Sequence, residues 1–469
     1  MTDGRTSVEH DPWGDESSIV DDVVGLIERR ITRPSDPKTT ARPASELAAD
    51  AGRTITAAGL GSAKVLRVFE DVLAPATRAQ DDPYNLAYIP GAPTDAARAF
   101  DAAVSSFNIF AGIWEAGAGA IFAENEALGW LTELLGWPAS AGGCFVAGGT
   151  MGNLSALVAA RDYVRRQRGP DAARAILCTL DAHSSIVGAA KVMDSEVVVV
   201  DEDDRGHLTG AAARAVLAAH PEVFAIVASA GTTNGGVVDD IADLAEVAAE
   251  FDVWLHVDGA YGGAGLAAPS VRARYAGIER AHSFIVDPHK WLFAPYDCCA
   301  LIYRDVAQAR AAHAQHAGYL DVIDRDVWNP TDLAVHLSRR ARGLPFWFSL
   351  AVHGTDRYTA AIEQTLDTAR AIADGIGETP ALRLLLPPEL SVLIFERPGW
   401  TDDDYRAWSH RLAHEGLLLC LPTRWQGRIA LRLAVVNPAT RADHVLDILR
   451  STTAQDHPGA GDRSRSGSI

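Results

Sequence analysis

The chain of 469 residues is 48% apolar and 22% charged, a composition typical of a globular protein with one large domain and one or two smaller ones. Its net charge of −19 argues against nucleic acid or an anionic membrane as the main partner, because either would require a basic face. No apolar run is long enough to span a membrane, and residues 1–15 are polar and acidic, unlike a signal peptide. We therefore expect a cytoplasmic protein that acts on a small molecule.

The five cysteines include no Cys-x-x-Cys pair, and most of them lie in apolar or strand-like segments. An odd number with this spacing is typical of buried thiols in a reducing compartment. We therefore expect neither a metal site nor disulfides among Cys144, Cys178, Cys298, Cys299 and Cys420.

The sequence pattern divides the chain into four parts. Residues 1–81 are predicted to form a disordered start and a helical arm, with an amphipathic helix at Ser18–Arg30, a proline-rich linker at 32–43 and a second helix at Ser62–Leu73. A large domain at 82–344 and a small α+β domain at 345–452 follow. The tail at 453–469 has almost no apolar content and is predicted to be disordered.

Within the large domain, short apolar segments alternate with helix-like segments. This alternation predicts a doubly wound, mostly parallel sheet with helices on both faces, and binding sites in the loops after the carboxyl ends of the strands. The predicted strands are Ile176–Leu180, Val197–Val200, Phe224–Ala228, Val253–Val257, Phe284–Val286 and Ala300–Tyr303.

Two later regions have their own patterns. Residues 307–338 have weak periodicity and few apolar runs, which predicts a mobile loop or lid. The small domain is predicted to contain a long helix at Thr355–Ile376 and strands at Leu390–Phe395 and Ile429–Val435.

Four polar motifs follow predicted strands. Gly148-Gly149-Thr150 opens a helix and can seat a phosphate, although a bare Gly-Gly-Thr is more often an ordinary turn. His183 can stack on a ligand or simply cap a helix, and the loop that holds Thr233 can be a plain turn. Asp258 follows an apolar strand core, where a carboxylate is costly unless a cation or a hydrogen bond stabilises it.

Lys290 lies in Asp287-Pro288-His289-Lys290, and apolar residues follow it. Burial there would lower the pKa of Lys290 toward the neutral, nucleophilic amine that a Schiff base requires, although a lysine beside a tryptophan is more often a surface residue. The combined set supplies a phosphate seat, a stacking ring, a carboxylate and a lysine. Pyridoxal phosphate requires these four groups.

On these motifs the chain resembles the group II pyridoxal-phosphate-dependent amino-acid decarboxylases, over roughly residues 82–438. The most specific matches are His256-Val257-Asp258-Gly259-Ala260-Tyr261 and His289-Lys290-Trp291-Leu292. The resemblance implies the fold type I architecture of pyridoxal-phosphate-dependent transferases and pyridoxal 5'-phosphate as cofactor. It also implies conversion of an L-amino acid to its amine and carbon dioxide by a homodimer with shared active sites.

The resemblance also assigns roles to individual residues. Lys290 would bind the cofactor aldehyde, Asp258 would pair with the ring nitrogen, and His183 and Ala260 would lie on the two faces of the ring. Tyr319 matches a loop tyrosine that protonates the substrate carbon, and its presence favours simple decarboxylation over oxidative deamination. The remaining matches are phosphate-binding positions at Gly149, Thr150 and His289, a cofactor-contacting threonine at Thr233, an interface arginine at Arg339, and Tyr296, which is a candidate for reaching across the dimer.

The chain departs from the aromatic decarboxylases at Met151, where they have an acidic residue, and at Asp287, where they have asparagine. A carboxylate near a phosphate dianion is unfavourable, so no phosphate-binding role is assigned to Asp287.

The predicted substrate pocket contains Tyr88, Ile89, Phe110, Gly112, Trp114 and Arg339. Ile89 replaces a phenylalanine and Gly112 a larger residue, and neither change adds a cation for a side-chain carboxylate. These features favour an aromatic or apolar aliphatic substrate. Glu115 could attract a basic substrate, although a helix-start carboxylate is the more ordinary interpretation.

Three hypotheses remain open from the sequence. The first is an amino-acid decarboxylase. The second keeps the cofactor but makes an aldehyde by oxidative deamination, or cleaves another carbon–carbon bond. The third is a non-catalytic scaffold with the same fold, which the presence of Lys290, Asp258 and His183 disfavours.

Overall fold

The computed structural model of the protein describes residues 17–38, 41–314 and 328–451. The predicted disordered start, the predicted tail and Tyr319 lie outside the described residues. Across the described ranges, no helix combines the length and the apolar character needed to cross a membrane.

Seven strands form the large sheet, in the order β1-β7-β6-β5-β4-β2-β3, and β7 is the one strand that runs antiparallel to its neighbours. Most of these strands are buried along their whole length, because helices cover both faces. The prediction of a mostly parallel, doubly wound sheet is therefore confirmed. The strands are β1 Gly142–Val146, β2 Ala175–Thr179, β3 Glu196–Val200, β4 Val223–Ser229, β5 Trp254–Asp258, β6 Ser283–Val286 and β7 Cys299–Tyr303.

A four-stranded antiparallel sheet, in the order β10-β11-β9-β8, forms the core of the C-terminal part. Its apolar face packs with three helices around Ile372, Phe395, Trp408 and Leu449. The strands are β8 Arg383–Leu386, β9 Val392–Glu396, β10 Leu421–Trp425 and β11 Arg428–Ala434.

The α-helices that surround these sheets are α1 Ser17–Thr32, α2 Ala44–Ala51, α3 Ser62–Val68, α4 Asp95–Phe107, α5 Trp114–Leu135, α6 Gly149–Arg168, α7 Ser185–Val192, α8 Gly210–Leu217, α9 Ile241–Glu250, α10 Pro288–Trp291, α11 Val306–His313, α12 Leu344–His353, α13 Thr355–Gly377, α14 Asp402–Glu415 and α15 Ala442–Ser451. A π-helical turn at Phe69–Leu73 extends α3.

Several of these helices begin with a polar capping residue. Thr94 accepts a hydrogen bond from the backbone of Ala97, for example, and Thr401 and Asp404 form a capping box.

The region predicted as a mobile loop or lid begins as helix α11. Asp305 caps this helix by accepting a hydrogen bond from the backbone of Ala307. The apolar side chains of Val306 and Ala309 are buried. The weak periodicity of residues 307–338 therefore concealed one short helix at the beginning of this region.

The loop at residues 82–93 joins the two sheets. The backbone N–H of Leu86 donates to the carbonyl of Leu419, and the N–H of Ala434, on β11, donates to the carbonyl of Leu86. At the other end of the loop, Gly91 lies against the backbone of His289, with no room for a side chain between them. The loop is therefore held by the small sheet at one end and by the segment that carries Lys290 at the other.

Candidate active site

The carboxyl ends of the parallel strands meet at one edge of the large sheet, and five of the predicted site residues lie there. They are Gly149 after β1, His183 after β2, Thr233 after β4, Asp258 at the end of β5 and Lys290 after β6. His183, Thr150 and Thr233 are exposed, whereas Asp258 and His289 are buried beneath them. The topology therefore assembles the motifs that are scattered along the sequence.

The Asp258 carboxylate is fixed by two hydrogen bonds. Its Oδ1 accepts from the backbone N–H of Ala260 at 3.0 Å, and its Oδ2 accepts from Nδ2 of Asn153 at 2.8 Å. Both interactions stabilise the anion, as a buried carboxylate requires. Asp258 can therefore present a negative charge in a fixed orientation.

Asn153 joins several groups of the site, and sequence analysis did not select it. Its side chain lies within 2.8 Å of Asp258, of the Ser185 hydroxyl and of Nε2 of His256. The Ser185 hydroxyl is in turn 2.8 Å from Nδ1 of His183. The available signal was the spacing, since Asn153 lies about one helical turn after Thr150 on α6.

The Lys290 ammonium is paired, which corrects the sequence expectation about its charge. Its Nζ lies 2.9 Å from Oδ2 of Asp287. Burial favours a lower pKa of Lys290, but the charge and hydrogen bond of Asp287, together with the charge of Asp258, outweigh burial and raise this pKa above its ordinary value. The prediction of a lowered pKa is therefore wrong.

Asp287 lies between Lys290 and the start of helix α6. A methyl group added to Gly149 would lie 3.2 Å from Oδ2 of Asp287 and 3.1 Å from Cβ of Ala260. The Oδ1 atom of Asp287 is buried and accepts no hydrogen bond from the part of the chain that the structure describes. The residue that departs from the aromatic decarboxylases is therefore inside the site, beside the predicted phosphate seat.

His289 is buried next to the same carboxylate. Its Nε2 lies 3.6 Å from Oδ2 of Asp287, and the Tyr296 ring packs on its imidazole at a centroid distance of 4.6 Å. Burial lowers the pKa of His289, although the negative charge of Asp287 opposes this effect.

A cleft of about 220 Å³ opens between the loop at residues 82–93 and the small sheet. Arg432, on β11, is buried at its edge and donates from Nη1 to the carbonyl of Tyr88 at 2.5 Å. Among the described residues, its Nη2 and Nε have no hydrogen-bond partner. Burial lowers the pKa of Arg432 to about 10, so the guanidinium remains charged at neutral pH. The described lining consists of Ala87, Tyr88, Thr233, Asn234, Leu421, Pro422, Thr423 and Arg432.

Sequence analysis did not select Arg432 either. The signal was a single charged residue inside the otherwise apolar strand Ile429-Ala430-Leu431-Arg432-Leu433-Ala434. A charge in such a position is costly unless a partner or a ligand compensates for it.

The other predicted pocket residues do not line this cleft. Ile89 is buried in the core, and Phe110, Gly112 and Trp114 pack near the start of α5. Glu115 is exposed in the first turn of α5, in agreement with the ordinary helix-start interpretation.

Arg339 belongs to the interior of the chain. Its guanidinium forms two hydrogen bonds of 2.7 Å with the buried carboxylate of Glu124 and a third of 2.8 Å with the carbonyl of Ala111. Since these partners engage both terminal nitrogens, Arg339 has little capacity left for a substrate, and we do not retain it as a pocket residue.

These groups fit pyridoxal phosphate. The backbone at the start of α6 offers N–H groups for the phosphate, and the lack of a side chain at Gly149 leaves the helix end in close contact with the site. Asp258 offers a fixed carboxylate for a protonated ring nitrogen, and Lys290 offers an amine. The exposed ring of His183 and the small side chain of Ala260 leave space for a flat molecule.

Comparisons with known proteins agree with this chemistry. The pyridoxal-dependent decarboxylase conserved domain matches residues 54–397. The chain is 30% identical over 392 residues to the aromatic-L-amino-acid decarboxylase of Bacillus atrophaeus, covering 80% of this chain and 81% of that protein. It is 34% identical over 371 residues to the L-2,4-diaminobutyrate decarboxylase of Rhizobium meliloti (strain 1021), covering 75% and 74%.

The fold has a close structural counterpart. The crystal structure of Oryza sativa TDC with PLP and tryptamine superposes with a TM-score of 0.88 at 23% identity, covering 97% of this chain and 100% of that chain. At this identity the likeness concerns the fold. The family match and the two relatives establish the family, and the chain belongs to the pyridoxal-phosphate-dependent amino-acid decarboxylases.

Proposed function

We propose that the protein decarboxylates an aromatic or apolar aliphatic L-amino acid to its amine. The observation that carries this proposal is the lining of the cleft between residues 82–93 and the small sheet. Ala87, Tyr88, Leu421 and Pro422 provide apolar surface, Arg432 provides a cation, and no described lining residue is a carboxylate. An apolar side chain can be buried there without an unpaired charge.

Arg432 would orient the substrate's α-carboxylate. Its charged guanidinium lies at the edge of the cleft, where it would attract a carboxylate. Bound pyridoxal phosphate supplies an electron-withdrawing ring that stabilises the negative charge left at the α-carbon when carbon dioxide leaves. Asp258 would hold a proton on the ring nitrogen, and Lys290 would retain the cofactor and exchange it for the substrate amine.

A basic amino acid is the competing substrate class, because one relative is named for L-2,4-diaminobutyrate. A side-chain ammonium in the cleft would need a carboxylate partner, and the described lining offers none. A second subunit could supply one.

The test is an assay of carbon dioxide release by the cofactor-loaded protein against all the standard L-amino acids and L-2,4-diaminobutyrate. We expect one aromatic or aliphatic substrate to give amine and carbon dioxide in equal amounts. Preference for diaminobutyrate would refute the substrate assignment. If none of the amino acids releases carbon dioxide, the proposal that the substrate is a standard amino acid is refuted.

Two variants connect this assay to the site. Lys290→Ala should lose the cofactor absorbance and the activity together. Arg432→Lys keeps a charge but loses the planar fork, so we expect kcat/KM to fall about 100-fold while the cofactor stays bound. Activity that Arg432→Lys leaves unchanged would argue against the carboxylate role.

Recording peroxide and ammonia in the same assay distinguishes simple decarboxylation from the aldehyde-forming alternative. The residue whose identity favours simple decarboxylation, Tyr319, is present in the sequence. We therefore expect amine without peroxide.

We also propose that the protein is a homodimer whose subunits complete each other's sites. Helix α1 exposes apolar side chains, with Val20 57% and Val24 56% exposed, and Phe122 on α5 is 58% exposed. Exposed apolar side chains of this kind are typical of subunit interfaces. A partner could also bring Phe110 and Trp114 to the substrate.

A cytoplasmic location is part of the same proposal. All five cysteines are free and buried. Burial raises the pKa of Cys144, Cys178 and Cys420 to about 12, so these thiols remain protonated and unreactive at neutral pH. Such thiols suit a reducing compartment.

A further inference from the structure

We propose that Asn153 and Ser185 select one tautomer of His183, the neutral ring with a bare Nδ1 and a proton on Nε2. They are positioning residues, which act on the reaction through His183. The proposal follows from tracing which atom must donate in each hydrogen bond, beginning at a group that can only accept.

Asp258 is that group. Its Oδ2 lies 2.8 Å from the Asn153 side chain, and an ionised carboxylate has no proton to donate. The Asn153 atom at this contact must therefore be the NH₂ group. This fixes the orientation of the amide, so its oxygen faces Nε2 of His256 at 2.8 Å.

His256 agrees with this orientation. Since the amide oxygen accepts, Nε2 of His256 must carry a proton, and its Nδ1 is left to accept from the Ser283 hydroxyl at 2.8 Å. The Ser283 oxygen in turn accepts from the indole N–H of Trp254 at 2.8 Å. Burial lowers the pKa of His256 to about 4, and the neutral ring that the hydrogen bonds require is therefore the stable one.

The second proton of the Asn153 NH₂ group determines the direction of the hydrogen bond between Ser185 and His183. The NH₂ group lies 2.8 Å from Oγ of Ser185, so Oγ accepts a hydrogen bond from Asn153. The Ser185 hydroxyl proton is then free to be donated to Nδ1 of His183, also at 2.8 Å. The backbone N–H of Ser185 donates to the same Nδ1 at 3.2 Å. With two donors facing it, Nδ1 has no room for a proton.

The remaining proton of His183 is therefore on Nε2, away from Ser185. The exposed ring therefore presents a fixed N–H donor. The partner of this donor would be an acceptor on the bound cofactor or amino acid. That use rests on the proposed function, whereas the tautomer itself does not.

The tautomer can be read directly by ¹⁵N NMR of the full-length protein labelled at histidine, at pH 8, where an ordinary imidazole is neutral. The His183 signals are assigned by their loss in His183→Gln. We expect an unprotonated, pyridine-type Nδ1 and a protonated, pyrrole-type Nε2, before and after addition of pyridoxal phosphate. A protonated Nδ1 would overturn the proposal.

Four variants test how the tautomer is selected. Ser185→Ala removes one donor to Nδ1, and Asn153→Ala frees the Ser185 hydroxyl to point elsewhere. Each should shift the tautomer ratio by about two- to tenfold toward the Nδ1-protonated form. Ser185→Thr keeps the hydroxyl and should retain the wild-type ratio. Ser155→Ala removes another buried hydroxyl from helix α6, one that accepts from the backbone of Val335, and should also leave the ratio unchanged.

The proposal fails if Ser185→Ala keeps the wild-type ratio, or if Ser155→Ala or Ser185→Thr shifts it as much as Ser185→Ala does. Kinetics provide a separate test, in which Ser185→Ala should lower kcat about two- to tenfold and Ser185→Thr should restore it. If no amino acid is decarboxylated, the proposed function fails, but the NMR result still decides the tautomer.

Discussion

Asp287 holds the Lys290 ammonium 2.9 Å from one carboxylate oxygen, while its other oxygen is buried without a hydrogen-bond partner. The same carboxylate lies against Gly149, beside the predicted phosphate seat. It therefore stabilises the protonated lysine and opposes an incoming phosphate dianion. Both effects disfavour the reaction of the free chain with its cofactor.

We expect Asp287→Asn to bind pyridoxal phosphate faster and more tightly. Loss of the carboxylate lowers the pKa of Lys290, and each unit of lowering gives about ten times more neutral amine at a pH below that pKa. The measurement is the rate and affinity of cofactor association from its absorbance, between pH 7 and 9. The gain should be largest at pH 7.

Asp367→Asn is the control, since Asp367 is an exposed carboxylate paired with Arg370 on helix α13. It should bind the cofactor as the wild type does. If Asp287→Asn binds the cofactor more weakly than wild type, the carboxylate helps to hold it, and our interpretation of the ion pair is wrong.

At this scale the sequence predicted which loops bring Gly149, His183, Thr233, Asp258 and Lys290 to one edge of the sheet, but neither the lining of the cleft nor the contacts of these residues. Asp287 and Lys290 belong to the same four-residue motif, yet their pairing depends on helix α10 starting at Pro288, which places them one turn apart on the same side. Asn153 and Arg432 were missed because their importance depends on contacts with distant parts of the chain. Periodicity and motif spacing carry no information about such contacts.

Helix α6 starts in direct contact with the site, and Gly149 is the residue that allows this contact. A side chain there would lie 3.1 Å from Cβ of Ala260 and 3.2 Å from Asp287, so the neighbouring atoms would have to move by a few tenths of an ångström. We expect Gly149→Ala to weaken cofactor binding about tenfold, at a cost in folding stability of about 1 kcal/mol. Equilibrium titration with pyridoxal phosphate and thermal unfolding check the two effects.

Gly188 on helix α7 is the matched control, because a methyl group there meets nothing within 4 Å. Gly188→Ala should bind the cofactor normally and should be slightly more stable, as alanine favours helix. Equal cofactor affinity in both variants would show that the close contact at Gly149 is not needed.

A cluster of charges joins the small sheet to the large one. Glu389 is buried and contacts Nε2 of His207 at 3.0 Å, Arg205 at 3.2 Å and Arg274 at 3.2 Å, while Asp203 holds Nδ1 of His207 at 2.9 Å. Burial favours a lower pKa of His207, but Asp203 and Glu389 together outweigh burial and raise it. The protonated ring is therefore stabilised in the folded chain.

This arrangement predicts how stability depends on pH. Because the pKa of His207 is raised in the folded state, its contribution to folding stability is complete below its unfolded pKa of about 6.5. This contribution is lost as pH rises through the pKa of the folded state. Part of the decrease in melting temperature from pH 6 to pH 9 should therefore disappear in His207→Gln. Burial raises the pKa of Asp239 to about 7, so this residue also lowers stability as pH rises. Its share of the decrease should remain in His207→Gln.

His410→Gln is the control for this experiment, since His410 lies on helix α14 outside the cluster. Its pH dependence should match that of the wild type. An unchanged pH dependence in His207→Gln would mean that His207 does not titrate in this range.

At the scale of elements, the sequence predicted the strands of the parallel sheet to within a residue or two, because buried parallel strands are continuous apolar segments. It did not predict the reversal of β7. The connection from β6 to β7 contains only the single-turn helix α10. It has no long helix to carry the chain back along a face of the sheet, and β7 pairs with β6 antiparallel. Strand β1 and helices α4 and α5 were also not predicted.

At the scale of the whole molecule, helix α1 is the surface that we propose for dimerisation. Helix α1 is tied to the body by ion pairs of 2.7 Å from Arg29 to Glu70 and from Arg30 to Asp81. Its opposite face exposes Val20 and Val24. The helix is therefore held in place with apolar side chains directed toward solvent.

We expect the double variant Val20→Asp, Val24→Asp to weaken the dimer at least tenfold, because two carboxylates would have to be buried in the interface. Sedimentation velocity over a range of protein concentrations measures this change. Activity per chain should fall with the dimer fraction. Asp22→Ala changes an exposed residue of the same helix and should leave both unchanged. A double variant that remains dimeric would exclude α1 from the interface.

The connection of residues 82–93 to the small sheet restricts how the chain can be recombined. Leu86 is hydrogen-bonded to Leu419 and Ala434, and the Tyr88 carbonyl is held by Arg432, so the cleft is built from two segments that are far apart in the sequence. A chimera that takes residues 378–451 from a relative would pair the loop at residues 82–93 with a small sheet of different sequence. Exchanges of the C-terminal part should therefore preserve activity only when residues 82–93 are transferred together with it.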